Sequence, residues 1–318
     1  EDAINSILSS NFPIIICGGG VVLAGATKEF KKFVELLDIA VATTVSGQGS
    51  ISETHANCVG VVGSNGGVLA TREIVNKADL VIFIGCRAGS VTTELWKVPD
   101  KNKRIIHIDS DPEVISASYK TEVGIVSDAC LALQGLNNIL ISRNNKLTSF
   151  NGAKNAEQVK KKKWKAFSDL SKSLDTPIKP EFTIAALRSV LDNDAVVVAD
   201  PGTPCPYVSA FFEIRTEGRT LFSNRAHGAL GYAMSAAMGA CVGRPDKQVV
   251  SLMGDGSFAF TCGELETVVR KKMPITFIVF SNSSFGWIKA GQKTAFNKRY
   301  YSVDFNRTDH AAVATAYG

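Results

Sequence analysis

Asp255, in the run Gly254-Asp255-Gly256-Ser257, and Asn282, in Phe280-Ser281-Asn282-Ser283, are the residues whose types and spacing best suit chemistry. One carboxylate and one amide oxygen are too weakly charged to cage a divalent cation alone. Mg2+ commonly takes one or two carboxylates and completes its octahedron with phosphate oxygens and water, so the pair implies a phosphate-bearing ligand. Gly256 and Ser257 precede a helix, where backbone N–H groups and the positive helix end favour the same anion. The plain alternative is a tight turn with no ligand.

The elements around the pair would bring its members together. Gln248 to Met253 is an apolar run of strand length ending on the Gly-Asp-Gly turn. Gly263 to Lys272 places Leu265, Val268 and Val269 at helical spacing, and Pro274 stops that helix before the β-rich run Ile275 to Phe280. A right-handed crossover sets such strands side by side or nearly so, with Asp255 and Asn282 at carboxyl ends, where open α/β sheets bind ligands. Ala195 to Asp200 is another buried-strand candidate, and Pro201-Gly202-Thr203-Pro204 after it predicts a tight loop rather than a helix start. Gly231 to Gly243 is rich in Gly and Ala, which suits close approach of a helix to a neighbour. His227 is either a substrate-facing donor or a structural residue.

These motifs resemble the thiamine diphosphate-dependent enzymes of the acetohydroxyacid synthase, pyruvate oxidase and benzoylformate decarboxylase group, whose signature is Gly-Asp-Gly followed at this distance by Asn. The resemblance implies that the Asp255 and Asn282 side chains and the Ser284 main-chain oxygen hold Mg2+, which anchors the cofactor diphosphate. It extends to Asn224-Arg225-Ala226-His227-Gly228-Ala229-Leu230-Gly231-Tyr232, where Leu230 falls at the bulky apolar position under the cofactor. Gly202 and Thr203 fall on the loop that touches the cofactor from the other side. The implied cofactor contacts are Gly202, Thr203, Gly228, Leu230, Gly254, Asp255, Gly256, Ser257, Asn282, Ser284, Phe285 and Gly286. Gly286 to Gln292 would line the substrate mouth. There Gly291 replaces the Trp that shapes acceptor choice in the synthases, and Lys289 is either an acid-binding or a solvated residue.

A first domain, residues 1–140, alternates strands at Pro13–Cys17, Ile39–Thr44, Leu80–Gly85 and Arg104–Asp109 with helices such as Ala26–Leu37. This pattern predicts a doubly wound parallel sheet. Gly18-Gly19-Gly20 invites a dinucleotide reading, yet Leu23 stands where Gly-x-Gly-x-x-Gly needs its last glycine, so a tight turn is expected. Val41-Ala42-Thr43-Thr44 and Ile106 to Pro112 resemble the central domain of the same family, which carries FAD in some members. Arg87 keeps the expected arginine, but Ala88-Gly89-Ser90-Val91 replaces the acidic-acidic-arginine run and Val61-Val62-Gly63 replaces Met-His-Gly. FAD is left open without being predicted.

Residues 141–178, with Asn144, Asn145, the run Lys160 to Lys165 and Pro177, are expected to be a linker with a solvated lysine face. Residues 179–318 form the expected diphosphate-binding domain, ending earlier than the family does. Both domains are expected to be α/β. The resemblance places the activating glutamate in an N-terminal domain that precedes Glu1, so this chain alone is expected to be inactive.

Across 318 residues, hydrophobic content of 45% supports two domains with cores, and a net charge of only +5 argues against a general nucleic-acid or membrane surface. Seven cysteines without Cys-x-x-Cys spacing read as reduced core residues of a cytoplasmic protein. No apolar run reaches the roughly 18 residues of a membrane span. The implied activity is decarboxylation or carboligation of a 2-oxo acid by a homodimer or homotetramer using thiamine diphosphate and Mg2+. The competing readings are a flavin- or nucleotide-binding module and a non-catalytic scaffold.

Overall fold

The computed structural model describes residues 1–143, 149–225 and 227–318, and divides the chain into two compact units. Asn144, Asn145 and Ala226 lie outside the described residues.

Unit one comprises Glu1–Phe182 and Ser209–Arg219. Its strands are β1 (Pro13–Cys17), β2 (Ala40–Thr43), β3 (Cys58–Val61), β4 (Leu80–Ile84), β5 (Arg104–Asp109) and β6 (Val123–Val126). They form one parallel sheet in the order β3-β2-β1-β4-β5-β6. Its helices are α1 (Asp2–Leu8), α2 (Gly19–Leu23), α3 (Thr27–Leu37), α4 (Leu69–Lys77), α5 (Ala129–Ser142) and α6 (Gly152–Ser171). Continuous apolar strands are what a sheet covered on both faces requires. Ile15, Ile82 and Ile106 pack with Phe30, Phe33, Leu133 and Leu136 of α3 and α5. Ile14, Ile16, Val81 and Ile105 pack on the other face with Ile74 of α4 and Ala156 and Val159 of α6.

The strand order reverses between β1 and β4, the doubly wound arrangement that places a crevice at the carboxyl ends of those strands. Here main chain crosses main chain. Gly18 N–H donates to Ile84 O at 2.9 Å and Gly20 N–H to Gly85 O at 3.0 Å. A Cβ at Gly18 would lie 2.1 Å from Gly85 O, so close backbone approach accounts for this glycine.

The expected linker is corrected over α6. Gly152, Ala156, Val159, Lys163 and Phe167 are buried at helical spacing, and the helix belongs to unit one. A lysine in the apolar register hides that face from the sequence. Lys163 Nζ lies 3.8 Å from Glu53 Oε2, with the two side chains only 4% and 5% exposed. Burial pushes the Glu53 carboxyl up, and Lys163 opposes that shift. Residues 209–219 also return to unit one: Glu53 N–H donates to Ile214 O at 2.7 Å, Gly218 N–H to Gly49 O at 2.8 Å, and Phe211 stacks on Phe167.

Unit two comprises Thr183–Val208 and Thr220–Gly318. Its strands β7 (Val196–Ala199), β8 (Leu221–Phe222), β9 (Val249–Gly254) and β10 (Ile275–Phe280) form a parallel sheet in the order β10-β9-β7-β8. The remaining helices are α7 (Pro180–Val190) and α8 (Pro204–Phe211), each of which lies partly in unit one, and α9 (Tyr232–Gly243), α10 (Asp255–Thr261), α11 (Leu265–Arg270), α12 (Gly286–Ala295) and α13 (His310–Tyr317). Ala233 and Ala237 of α9 are fully buried against Val196, Val198 and Val249, which explains the small residues of that helix by packing. All seven cysteines are free. Burial pushes the Cys58 thiol to about 11 and the Cys86 thiol to about 12, so neither is a reactive thiolate at neutral pH.

Two outcomes are expected. Lys163→Met should lower unfolding free energy by about 3–5 kcal/mol, because it strands the Glu53 charge, and adding Glu53→Gln should recover most of the loss in urea titrations. Buried His107 donates through Nε2 to Cys86 O at 2.8 Å, and burial holds its pKa below the ordinary value. The unfolded chain therefore takes up this proton first, and stability falls as pH drops through about 6.5. His107→Gln should flatten that part of the Tm-versus-pH curve; an unchanged slope would refute the assignment.

Candidate functional site

The site is built from the carboxyl ends of the unit-two strands. Phe280 of β10 pairs with Gly254 of β9, and Ala199 of β7 with Leu252 of β9, so the residues that follow these strands emerge along one edge. The helix after β9 begins at Asp255 itself, earlier than the sequence reading placed it. The helix α11 then buries Leu265 and Val268 and leaves Val269 partly exposed. It ends where Met273 N–H returns to Val268 O, with Lys272 in the left-handed conformation ahead of Pro274.

Asp255 is buried, and its carboxylate is held by main chain. Oδ2 accepts from Asn282 N–H at 2.8 Å and Ser283 N–H at 2.6 Å, and Oδ1 accepts from Gly256 N–H at 2.9 Å. Asn282 Oδ1 in turn accepts from Ser284 N–H at 3.0 Å. The two residues singled out by spacing are thus in direct contact. Ser284 forms an isolated bridge with Asp304, in which Phe285 N–H donates to Val303 O and Phe305 N–H to Ser283 O. That bridge fixes the backbone on which the Ser284 carbonyl sits.

Most of the other expected contacts gather around this pair. A Cβ on Gly286 would lie 3.1 Å from Thr203 Oγ1 and 3.5 Å from Asn282 Nδ2. A Cβ on Gly202 would lie 3.5 Å from Leu230 Cδ2, so the loop after β7 meets the entry to α9. The Phe285 ring covers Gly256, where a Cβ would be 2.4 Å from Cε1. Gly228 is exposed at φ +75° with nothing near its Cβ position, and Gly254 contributes as the N-cap of α10. The Pro201 to Pro204 loop differs from expectation at its end, since Pro204 opens α8. Proline is tolerated at a first helical position because its missing N–H has no intrahelical partner there. Arg225 Nη1 donates to Pro201 O. His227 is exposed and bonds only through its N–H among the described residues, to Asn224 Oδ1. Lys289 Nζ is paired with Asp304 Oδ1 at 2.7 Å and lies over Tyr300.

The sequence reading missed Asp200. This fully buried residue follows β7; its Oδ2 accepts from Gly231 N–H at 3.0 Å and Ala233 N–H at 3.2 Å, and its Oδ1 accepts from Ser257 Oγ at 2.8 Å. Burial pushes its carboxyl up, against the lowering by these donors. The signal available in the sequence was an acid ending an apolar strand immediately before Pro-Gly.

The donors offered for a metal are all oxygens: the Asp255 carboxylate, the Asn282 amide oxygen and the Ser284 carbonyl. That set fits a hard cation such as Mg2+. Among the described residues no group of three His, Cys, Asp or Glu side chains is placed to hold a metal, so other ligands would have to come from outside those side chains.

Replacing Gly256 with Ala should push the Phe285 ring from α10 and cost about 1–3 kcal/mol by overpacking. Thermal melts of Gly256→Ala and of Gly256→Ala with Phe285→Leu check this, with the smaller side chain expected to relieve the strain.

Residues 1–136 match the thiamine pyrophosphate enzyme central domain, and residues 200–318 match the thiamine pyrophosphate enzyme C-terminal TPP binding domain. A probable acetolactate synthase large subunit of Methanococcus aeolicus is 33% identical over 100% of this chain and 54% of its own length. The acetolactate synthase large subunit of Lactococcus lactis is 30% identical over 100% of this chain and 54% of its own. The chloroplastic acetolactate synthase 2 of Nicotiana tabacum is 31% identical over 91% of this chain and 42% of its own. The chain therefore spans about half the length of these curated relatives.

Proposed function

Because this chain belongs to the thiamine pyrophosphate enzyme family, we propose that it forms the central and diphosphate-binding parts of an acetolactate synthase-like enzyme acting on a 2-oxo acid. The observation that carries this reading is the convergence of Asp255, Asn282, Thr203 and Gly286 at the carboxyl edge of one parallel sheet. Asp255, Asn282 and the Ser284 carbonyl would hold Mg2+. The first turn of α10 and the Gly202-Thr203 loop would border the diphosphate, and Leu230 would support the cofactor from the side of Gly202. Bound thiamine diphosphate supplies a nucleophilic carbon and the electron sink that decarboxylation of a 2-oxo acid requires.

The chain's own residues would bind and orient. Asp255 remains an acceptor to three main-chain N–H groups, so its charge is fixed in place before any cation arrives. That is the preorganisation on which electrostatic binding depends. Gly291 leaves α12 without a large side chain at the position that shapes acceptor choice in the synthases, so the proposal covers both decarboxylation and carboligation. Lys289 is committed to Asp304 and is assigned no substrate role. The enzyme is proposed to work as a cytoplasmic homodimer or homotetramer. Among the described residues no helix is long and apolar enough to cross a membrane.

Calorimetric titration of thiamine diphosphate into the full polypeptide, with and without Mg2+, tests the reading beside Asp255→Ala. Binding that requires the metal and is lost in the variant is the expected result, followed by CO2 release from 2-oxo acids. Metal-independent binding of FAD or a nucleotide, unchanged by Asp255→Ala, would favour a binding module instead. A folded protein that binds none of these would leave a scaffold.

A further inference from the structure

We propose that Asp200 is a positioning residue for the cofactor seat, a buried carboxylate that ties the loop after β7 to the entry to α9 and to Ser257 of α10 in the arrangement that sets Leu230 against Gly202. This inference rests on the thiamine diphosphate reading above for its functional consequence, though not for its geometry.

Three donors converge on this side chain: the N–H groups of Gly231 and Ala233, and the Ser257 hydroxyl. Only an acceptor suits that environment, and an ionised carboxylate offers two oxygens with room for all three. Capping α9 would need only Gly231 and Ala233. The further bond reaches Ser257 of α10, so the carboxylate joins its own loop after β7, the entry to α9 and the first turn of α10, three segments that are distant in sequence. Gly231 is confined on its other side as well, since a Cβ there would lie 2.7 Å from Thr261 Cγ2. Leu230 is the next residue, and its Cδ2 faces Gly202. Removing the Asp200 side chain therefore uncouples the loop that carries Gly202 from the segment that carries Leu230. Small displacements in a preorganised site are costly: about 1 Å can reduce function by two orders of magnitude.

Two measurements test the proposal. In the ligand-free protein, the Gly231 and Ala233 amides should resist hydrogen exchange and should exchange about tenfold faster or more in Asp200→Ala. Calorimetry with thiamine diphosphate and Mg2+ should then show affinity weakened by about 30-fold in Asp200→Ala and retained within about threefold in Asp200→Asn. In Asp200→Asn, the amide oxygen can keep the Gly231 and Ala233 bonds while the amide N–H donates to Ser257 Oγ. A double-mutant cycle with Leu230→Ala should be non-additive, which a general loss of stability would not produce. Ser257→Ala, which removes one bond only, supplies the same cycle if Asp200→Ala does not fold. Wild-type affinity in folded Asp200→Ala, additivity with Leu230, or a loss in Asp200→Asn equal to that in Asp200→Ala would overturn the proposal. Failure of the wild-type protein to bind the cofactor would overturn the functional reading instead, and the exchange measurement would still decide whether Asp200 holds the segments.

Discussion

Two buried carboxylates, at the carboxyl ends of the neighbouring strands β7 and β9, are satisfied mainly by main-chain N–H groups, and the loops of unit two are shaped by that requirement. An ionised acid removed from water must find charge-compensating donors or lose its proton. Asp200 finds them at the entry to α9 and in the Ser257 hydroxyl of α10. Asp255 finds them in its own helix and in the turn after β10. In each case the backbone must bend so that its N–H groups face inward. Glycine at positions 202, 231, 256 and 286 leaves room for these close approaches, and the contacts of a Cβ at Gly231 and Gly256 show how little room there is.

What the sequence made legible follows the same physics. Strands β1, β4 and β9 were readable because a strand buried between layers needs an unbroken apolar run, and turns bounded those runs. Asp255 and Asn282 were readable because a strand-helix-strand unit fixes where their positions fall. Asp200 was not, since nothing local distinguishes an acid that ends a strand in solvent from one that gathers donors far along the chain. The helix α6 escaped for a different reason: Lys163 occupies a core position, so the apolar face is interrupted by a charge whose partner, Glu53, is distant in sequence. Residues 209–219 return to unit one through bonds to Gly49, Ser52 and Glu53, again partners that no local pattern could supply.

Unit one illustrates how far strand order alone can carry a functional reading. Its order places a crevice where doubly wound sheets bind nucleotides. The Gly18-Gly19-Gly20 run, which opens α2 where a tight turn was expected, nevertheless spends two of its N–H groups on Ile84 and Gly85 carbonyls. Those donors serve the junction of β1 and β4, and the glycines are accounted for without a bound anion. Fold and ligand are separate inferences, and the second must be argued from groups left free to meet it.

The sparse charge of the candidate site is consistent with its proposed work. A diphosphate brings its own negative charge, so every additional carboxylate beside a shared cation would repel the ligand that the cation is meant to hold. At about 4 Å and an effective dielectric constant near 20, two like unit charges repel by roughly 4 kcal/mol, enough to change affinity by several hundredfold. One carboxylate, one amide and one main-chain carbonyl supply hard oxygen donors with only a single formal charge. The second acid, Asp200, lies at the end of the adjacent strand with its oxygens turned to main-chain and hydroxyl donors. Its bonds place it in the scaffold of the site, while Asp255 and Asn282 supply the donors proposed for the metal.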